Sequence, residues 1–148
     1  MSAEIDLYNT LKEIYFCLDN GDRLLLDDFN LSVPRYYLLK HLEETPGISF
    51  TQLSQLMLSD KSNISRLIKN MEAEGLVRRK RHSSDGRARS LYLTPAGKKV
   101  LEAARRAHRR YIETRFAWLD GGRDQLLSSL REIKKSLADS LPQDVVKG

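Results

Sequence analysis

The chain has 148 residues, 25 of them Lys or Arg, 20 Asp or Glu and 3 His, for a formal net charge of +5. Apolar residues make up 41% and charged residues 30%, too much hydrophobicity for a disordered segment and enough length for one domain. No apolar run approaches the roughly 20 residues of a membrane span, and the acidic start from Met1 to Asp6 is unlike a leader, so a soluble, cytosolic protein with no membrane partner is expected.

Residues 4–19 carry Ile5, Leu7, Tyr8, Leu11, Ile14, Tyr15 and Leu18 near a helical period, which predicts an amphipathic helix stopped by Asn20-Gly21. The acidic stretch to Asn30 reads as part helix, part loop. Ser32 as cap and Pro34 in the first turn open a second helix, through Tyr36, Tyr37, Leu38, Leu39 and Leu42 to a break at Thr45-Pro46-Gly47. Ile48 reads as a very short extended piece. Ser49-Phe50-Thr51-Gln52 has the spacing of a capping box and predicts a short third helix burying Leu53, Leu56 and Met57.

Only Leu58-Ser59-Asp60 separates that helix from a fourth, with Asp60 as its cap and Gly75 as its left-handed end. Ile64, Leu67, Ile68 and Met71 fall at i, i+3, i+4, i+7 and form its core face. The other face carries Lys61, Ser62, Asn63, Ser65, Arg66, Lys69 and Asn70, donors with almost no competing acid. Two helices joined this tightly predict a helix-turn-helix, whose second helix enters the DNA major groove.

Leu76 to His82 and Arg89 to Leu93 read as strands around a turn over 83–88, with Asp85-Gly86 as the hairpin signal. Leu91 and Leu93 alternate with Ser90 and Tyr92, predicting one buried face. A basic hairpin directly after a recognition helix is a wing, able to lay cations on the backbone or into the minor groove. Thr94-Pro95 caps a long helix through Val100, Leu101, Ala104, His108, Tyr111, Ile112 and Phe116 to about Leu119. Gly121-Gly122 breaks it, and a last helix with Leu126, Leu127, Leu130, Ile133 and Leu137 ends near Pro142.

The charge is distributed unevenly. Residues 1–60 hold 4 basic and 10 acidic side chains, residues 61–110 hold 15 and 4, and residues 111–148 hold 6 and 6. A net +11 inside 50 residues is the footprint expected of a polyanion-binding segment, because each neutralised phosphate releases condensed counterions. A solvated basic helix face is the alternative that charge alone leaves open.

Several strings resemble the MarR (multiple antibiotic resistance regulator) family of winged-helix repressors. They are Ile48-Ser49-Phe50-Thr51-Gln52-Leu53, Ile64-Ser65-Arg66-Leu67-Ile68, Met71-Glu72-Ala73-Glu74-Gly75-Leu76-Val77, Ser84-Asp85-Gly86-Arg87 and Leu93-Thr94-Pro95-Ala96-Gly97. The resemblance implies a mainly α fold: a winged helix-turn-helix of three helices plus a β-hairpin wing over 31–95, with dimerisation helices from 1–30 and 96–148. It also implies a homodimer on a pseudo-palindromic operator. Arg87 would be the wing-tip cation in the minor groove, and Asp85 would fix it, although Asp85 also suits a plain turn. Ser62, Asn63, Ser65, Arg66 and Lys69 would sit at the groove, Ser49, Thr51 and Gln52 near the backbone, with Lys61, Arg79 and Arg89 completing the set. For Lys69 and Arg89, phosphate positioning without base readout is the preferred reading.

His41, His82 and His108 lie on different elements with no Glu or Cys at ligand spacing, and neither a Gly-rich phosphate loop nor a nucleophile elbow occurs. The expectation is therefore no enzyme, no metal and no cofactor. A small aromatic or phenolic ligand is the effector that the resemblance suggests, near Tyr15, Tyr37 and His41, where ordinary packing is the competing reading. The lone Cys17 stands before Asp19 and Asp22 near a helix C-terminus, both unfavourable to a thiolate. A buried structural Cys17 is expected, with a redox-sensing repressor as the alternative. Non-specific architectural DNA binding is a further alternative, separable by footprinting.

Overall fold

The computed structural model describes residues 2–81 and 89–141. In chain order these form α1 (Ala3–Asp27), α2 (Val33–Glu44), β1 (Ile48–Ser49), α3 (Phe50–Leu56), α4 (Lys61–Ala73), β2 (Val77–Arg81), β3 (Arg89–Leu93), α5 (Pro95–Phe116) and α6 (Arg123–Ser140).

Local capping chemistry sets most of the boundaries. Ser32, Ser49, Asp60 and Thr94 each accept a hydrogen bond from the backbone N–H three residues on, opening α2, α3, α4 and α5. Ser49 and Gln52 complete a reciprocal capping box. Gly75 ends α4 at φ +75°, a left-handed conformation that costs glycine little. Thr94 Oγ1 also donates to the Gly75 carbonyl at 2.5 Å, tying the start of α5 to the end of α4.

The first helix departs from the sequence reading. Gly21 does not stop α1, which continues to Asp27. Gly21 is buried where α1 crosses α5, and a β-carbon there would lie 1.9 Å from the Tyr111 hydroxyl. Close approach of two helices, not chain termination, explains this glycine. Helix α5 ends three residues before the expected Leu119.

The sheet also differs from a lone hairpin. Its order is β1-β3-β2, all antiparallel, with Ile48 opposite Leu91 and Ser49 opposite Ser90 on one side, and Val77 opposite Leu93 on the other. Because β3 is central, Ser90 is buried beside Leu91, so the expected alternation of one buried face fails at that position.

The core gathers Leu38, Leu39 and Leu42 of α2, Leu53 of α3, Ile64, Ile68 and Met71 of α4, Leu91 of β3 and Leu101 and Ala104 of α5. Burial of each large side chain contributes roughly 1.5–3 kcal/mol. Leu56, expected inside, is exposed, because α3 has only two turns and turns Leu53 and Ser54 inward; Met57 is half-buried. At the other extreme, α6 buries none of its residues and α1 buries only Gly21 and Leu26.

Candidate nucleic-acid interface

Helix α4 presents two faces. Ile64, Ile68 and Met71 point into the core, while Lys61, Ser62, Ser65, Arg66, Lys69 and Asn70 are exposed. A small hydrogen-bond network organises the N-terminal end. Asp60 Oδ1 accepts from the Asn63 backbone N–H at 2.7 Å. The Asn63 carboxamide donates to Ser59 Oγ at 2.8 Å, and its oxygen accepts from Arg66 Nη2 at 2.8 Å. Asn63 is thus half-buried with both ends of its amide engaged, and it aims Arg66 outward.

The turn before α4 carries an unusual residue. Leu58 has φ +50°, while its N–H donates to the Gln55 carbonyl at 3.2 Å and that of Ser59 to the Ser54 carbonyl at 3.1 Å. This is the paired bonding of a Schellman end, with leucine where glycine is preferred. Leu58 is 70% exposed, so no burial offsets the strain.

The remaining sequence candidates divide by their surroundings. Ser49 and Gln52 side chains are engaged in the capping box, and Thr51 is exposed on the first turn of α3. Arg79 is held inward: its Nε donates to Glu72 Oε1 at 2.5 Å and its guanidinium lies 5.1 Å from the Phe50 ring centroid. It joins β2 to α4 and α3. Arg78, Lys80, Arg81 and Arg89 are exposed on the two wing strands, with Arg78 over Tyr92 at 5.2 Å. Asp85 and Arg87, with the turn around them and His82, lie outside the described residues. The +11 segment is not one face either, since Lys98, Lys99, Arg106, Arg109 and Arg110 are exposed on α5 rather than on α4 or the strands.

A second concave feature lies between α2 and α5. It is a groove of about 330 Å³ lined by Tyr36, Lys40, Arg105, His108, Arg109, Ile112 and Glu113. Arg105 makes ion pairs with Glu43, and with Glu102 at 3.5 Å; the hydrogen bond to Glu43 strengthens its hold on its proton. Burial pushes the Tyr36 phenol above the ordinary tyrosine range, an effect that nearby Arg105 opposes. His108 donates from Nε2 to Asp22 Oδ1 on α1 at 2.8 Å.

None of Tyr15, Tyr37 and His41 lines this groove. Tyr15 is exposed on α1 against Phe16, Tyr37 lies beside Tyr36, and His41 is 3.9 Å from Glu44. Sequence reading placed His108 among core positions and left Arg105 and Arg109 unassigned. Their spacing with Ile112, at i, i+3, i+4, i+7 from Arg105, was the available signal for a shared face.

The model of the MarR family matches residues 29–88, the stretch from the end of α1 to the wing. The structure overlays that of AbsC, a MarR-family transcriptional regulator from Streptomyces coelicolor, at a TM-score of 0.80 with 26% identity, over 95% of this chain and 97% of that one. Over residues 29–88 the chain is similar to the MarR family. Another similar structure is the transcriptional repressor CouR bound to a 23-mer DNA duplex, with a TM-score of 0.78 and 26% identity over 89% of this chain and 96% of CouR. The transcriptional regulator HosA of Escherichia coli O127:H6 is 36% identical over 75 residues, which is 51% of this chain and 56% of HosA. The chain therefore spans about half the length of that curated relative.

In this chain the terminal helices are left largely uncovered. Ile5, Tyr8, Ile14, Phe16 and Leu24 are exposed on α1, as are Leu126, Leu127, Leu130 and Leu137 on α6. Cys17 is exposed among them, so the expected buried cysteine is not found. The buried positions of α1 are Gly21 and Leu26. No described helix is long and apolar enough to cross a membrane.

Proposed function

We propose that this chain is a MarR-family, sequence-specific DNA-binding transcriptional repressor of the cytoplasm, acting as a homodimer on a pseudo-palindromic operator and released by a small-molecule effector. The observation that carries the reading is the outer face of α4, where exposed Lys61, Ser62, Ser65, Arg66 and Lys69 gather with Arg66 aimed by Asn63. Arginine is the commonest specific reader of guanine, and a helix of this kind fits the major groove. In this reading Asn63 positions Arg66, Lys69 and Arg89 engage phosphates, and Arg87 with Asp85 serves the minor groove as the family resemblance implies.

Dimerisation is supported by the apolar stripes of α1 and α6, which a lone protomer leaves in water. A dimer would set two α4 helices about one DNA turn apart. An effector in the α2–α5 groove would act by differential affinity for two spacings of those helices. The domain assignment follows: residues 31–95 as the DNA-binding lobe, 1–30 and 96–148 as the dimerisation helices.

The test is selection of bound duplexes from a random pool, followed by footprinting of the winner. A discrete, two-fold symmetric protected site is expected. Diffuse protection would favour an architectural DNA binder instead. The exposure of Cys17 keeps a redox-sensing repressor in play. Peroxide-driven operator release that disappears in Cys17→Ser would establish that reading over the ligand.

A further inference from the structure

We propose that Arg79 acts on DNA at second hand, by withholding Glu72 from Lys69 so that this lysine stays free for a phosphate. The inference rests on the DNA-binding reading of α4 and adds a positioning residue to it. The end of α4 sets a problem in charge. Its last turn and C-cap carry Glu72 and Glu74, where carboxylates oppose the helix dipole and border a surface meant for a polyanion. Glu72 is three residues beyond Lys69 and seven beyond Ser65, so it shares their side of the helix. Lys69 is exposed and has no carboxylate partner among the described residues. A glutamate one turn away is within its reach, and that pairing would neutralise a cation that α4 offers to DNA.

Arg79 takes the carboxylate instead. From β2 its Nε donates to Glu72 Oε1 at 2.5 Å, while Phe50 of α3 flanks the guanidinium with its ring centroid at 5.1 Å. The arginine and glutamate side chains are only 23% and 29% exposed. A Lys–Glu pair across one turn of an exposed helix is weak and screened by salt. A charge-assisted bond to a part-buried arginine is stronger, so Glu72 stays with Arg79.

A second ion pair at the same end of α4 supplies the contrast. Glu74 is bonded by Arg35 of α2, which also donates to the Asn30 carbonyl at 3.1 Å. Glu74 lies three residues beyond buried Met71 and seven beyond half-buried Leu67, on the flank that borders the core. Arg35 thus ties the end of α4 as Arg79 does, but its glutamate does not sit one turn from Lys69. Removing either arginine changes the net charge equally. Only the loss of Arg79 releases a carboxylate onto the cationic face.

The test uses the full chain and a fluorescent duplex of fixed random sequence, about 30 base pairs long, followed by anisotropy across about 50–150 mM salt, where phosphate contacts dominate. Each variant is read below its own melting temperature, so lost stability does not enter. Arg79→Met should weaken binding about fivefold at the lowest salt and flatten the plot of log K against log salt by about one unit of slope per protomer, the loss of one phosphate contact. Adding Glu72→Gln to Arg79→Met should restore both quantities. In a Lys69→Met background, Arg79→Met should change neither. Arg35→Met should keep the wild-type slope. A double variant as weak as Arg79→Met would make Arg79 a plain tie or a direct DNA contact and overturn the proposal, as would an equal flattening in Arg35→Met. A wild-type chain that binds no duplex refutes the DNA-binding reading and this inference with it; one that binds, with an unaltered slope in Arg79→Met, refutes the inference alone.

Discussion

The lobe formed by α2–α4, the sheet and the first half of α5 differs from the pair α1 and α6 in where its apolar side chains go. In the lobe, Leu38, Leu39, Leu53, Ile64, Ile68 and Leu91 are all essentially inaccessible. On α1 and α6 equally large residues, among them Tyr8, Phe16, Leu127 and Leu130, stay in solvent. The two regions have comparable helical periodicity, so periodicity alone does not tell a self-sufficient core from an apolar face left in solvent. The lobe reads as a unit whose stability is intramolecular, and in the proposed dimer the stability of the terminal helices would depend on concentration.

The largest effect should come from striking the second region. Leu127→Glu combined with Leu130→Glu should give a monomer by sedimentation at micromolar concentration and cut operator affinity by more than about a hundredfold, since one half-site is then lost. A dimer that persists would show that α6 is not the interface.

Next comes a contrast between two glycines. A β-carbon at Gly97 would meet the Leu76 backbone carbonyl at 2.1 Å, whereas one at Gly21 would meet the movable tip of Tyr111. Gly97→Ala should cost about 2–3 kcal/mol in urea unfolding and Gly21→Ala about 1 kcal/mol. Equal losses would remove the distinction between a fixed lobe and an adjustable crossing.

The third prediction separates reading from holding within the cationic segment. Arg66→Ala should weaken operator binding by about 1–3 kcal/mol with an unchanged melting temperature. Arg79→Ala, which releases Glu72, should instead lower stability by about 1 kcal/mol. The reverse pattern would exchange their roles. Smallest is Leu58→Gly, which should stabilise the lobe by about 0.5–1 kcal/mol in the same urea assay by relieving the left-handed leucine. A destabilised variant would mean that the leucine side chain has an intramolecular role.

Capping was legible in the sequence because it is local. Ser32, Ser49, Asp60 and Thr94 each act on an N–H three residues away. The exposed face of α4 was legible for the same reason, from its period. What escaped was non-local. The pairing of Ile48 with Leu91 spans the whole helix-turn-helix, and no composition rule signals it. The partnership of Arg79 with Glu72 depends on how β2 turns back on α4. Asp22 and His108 stand 86 positions apart, so the groove's link to α1 could not be seen. Gly21 was misread because the same residue type serves chain stops and tight helix contacts, and only the neighbour on α5 distinguishes them.

The order β1-β3-β2 has a consequence for how the protein behaves among its own copies. With β3 covered on both sides, the long open edge of the sheet among the described residues is β2, since β1 is only two residues. An unpaired strand edge is a template for accidental assembly. Here that edge carries Arg78, Lys80 and Arg81, all exposed, and two such strands brought side by side would set like charges against one another. The cations suited to a nucleic acid thus also keep the wing from stitching molecules into filaments, and replacing them with threonine or valine would put solubility at risk before it altered the fold.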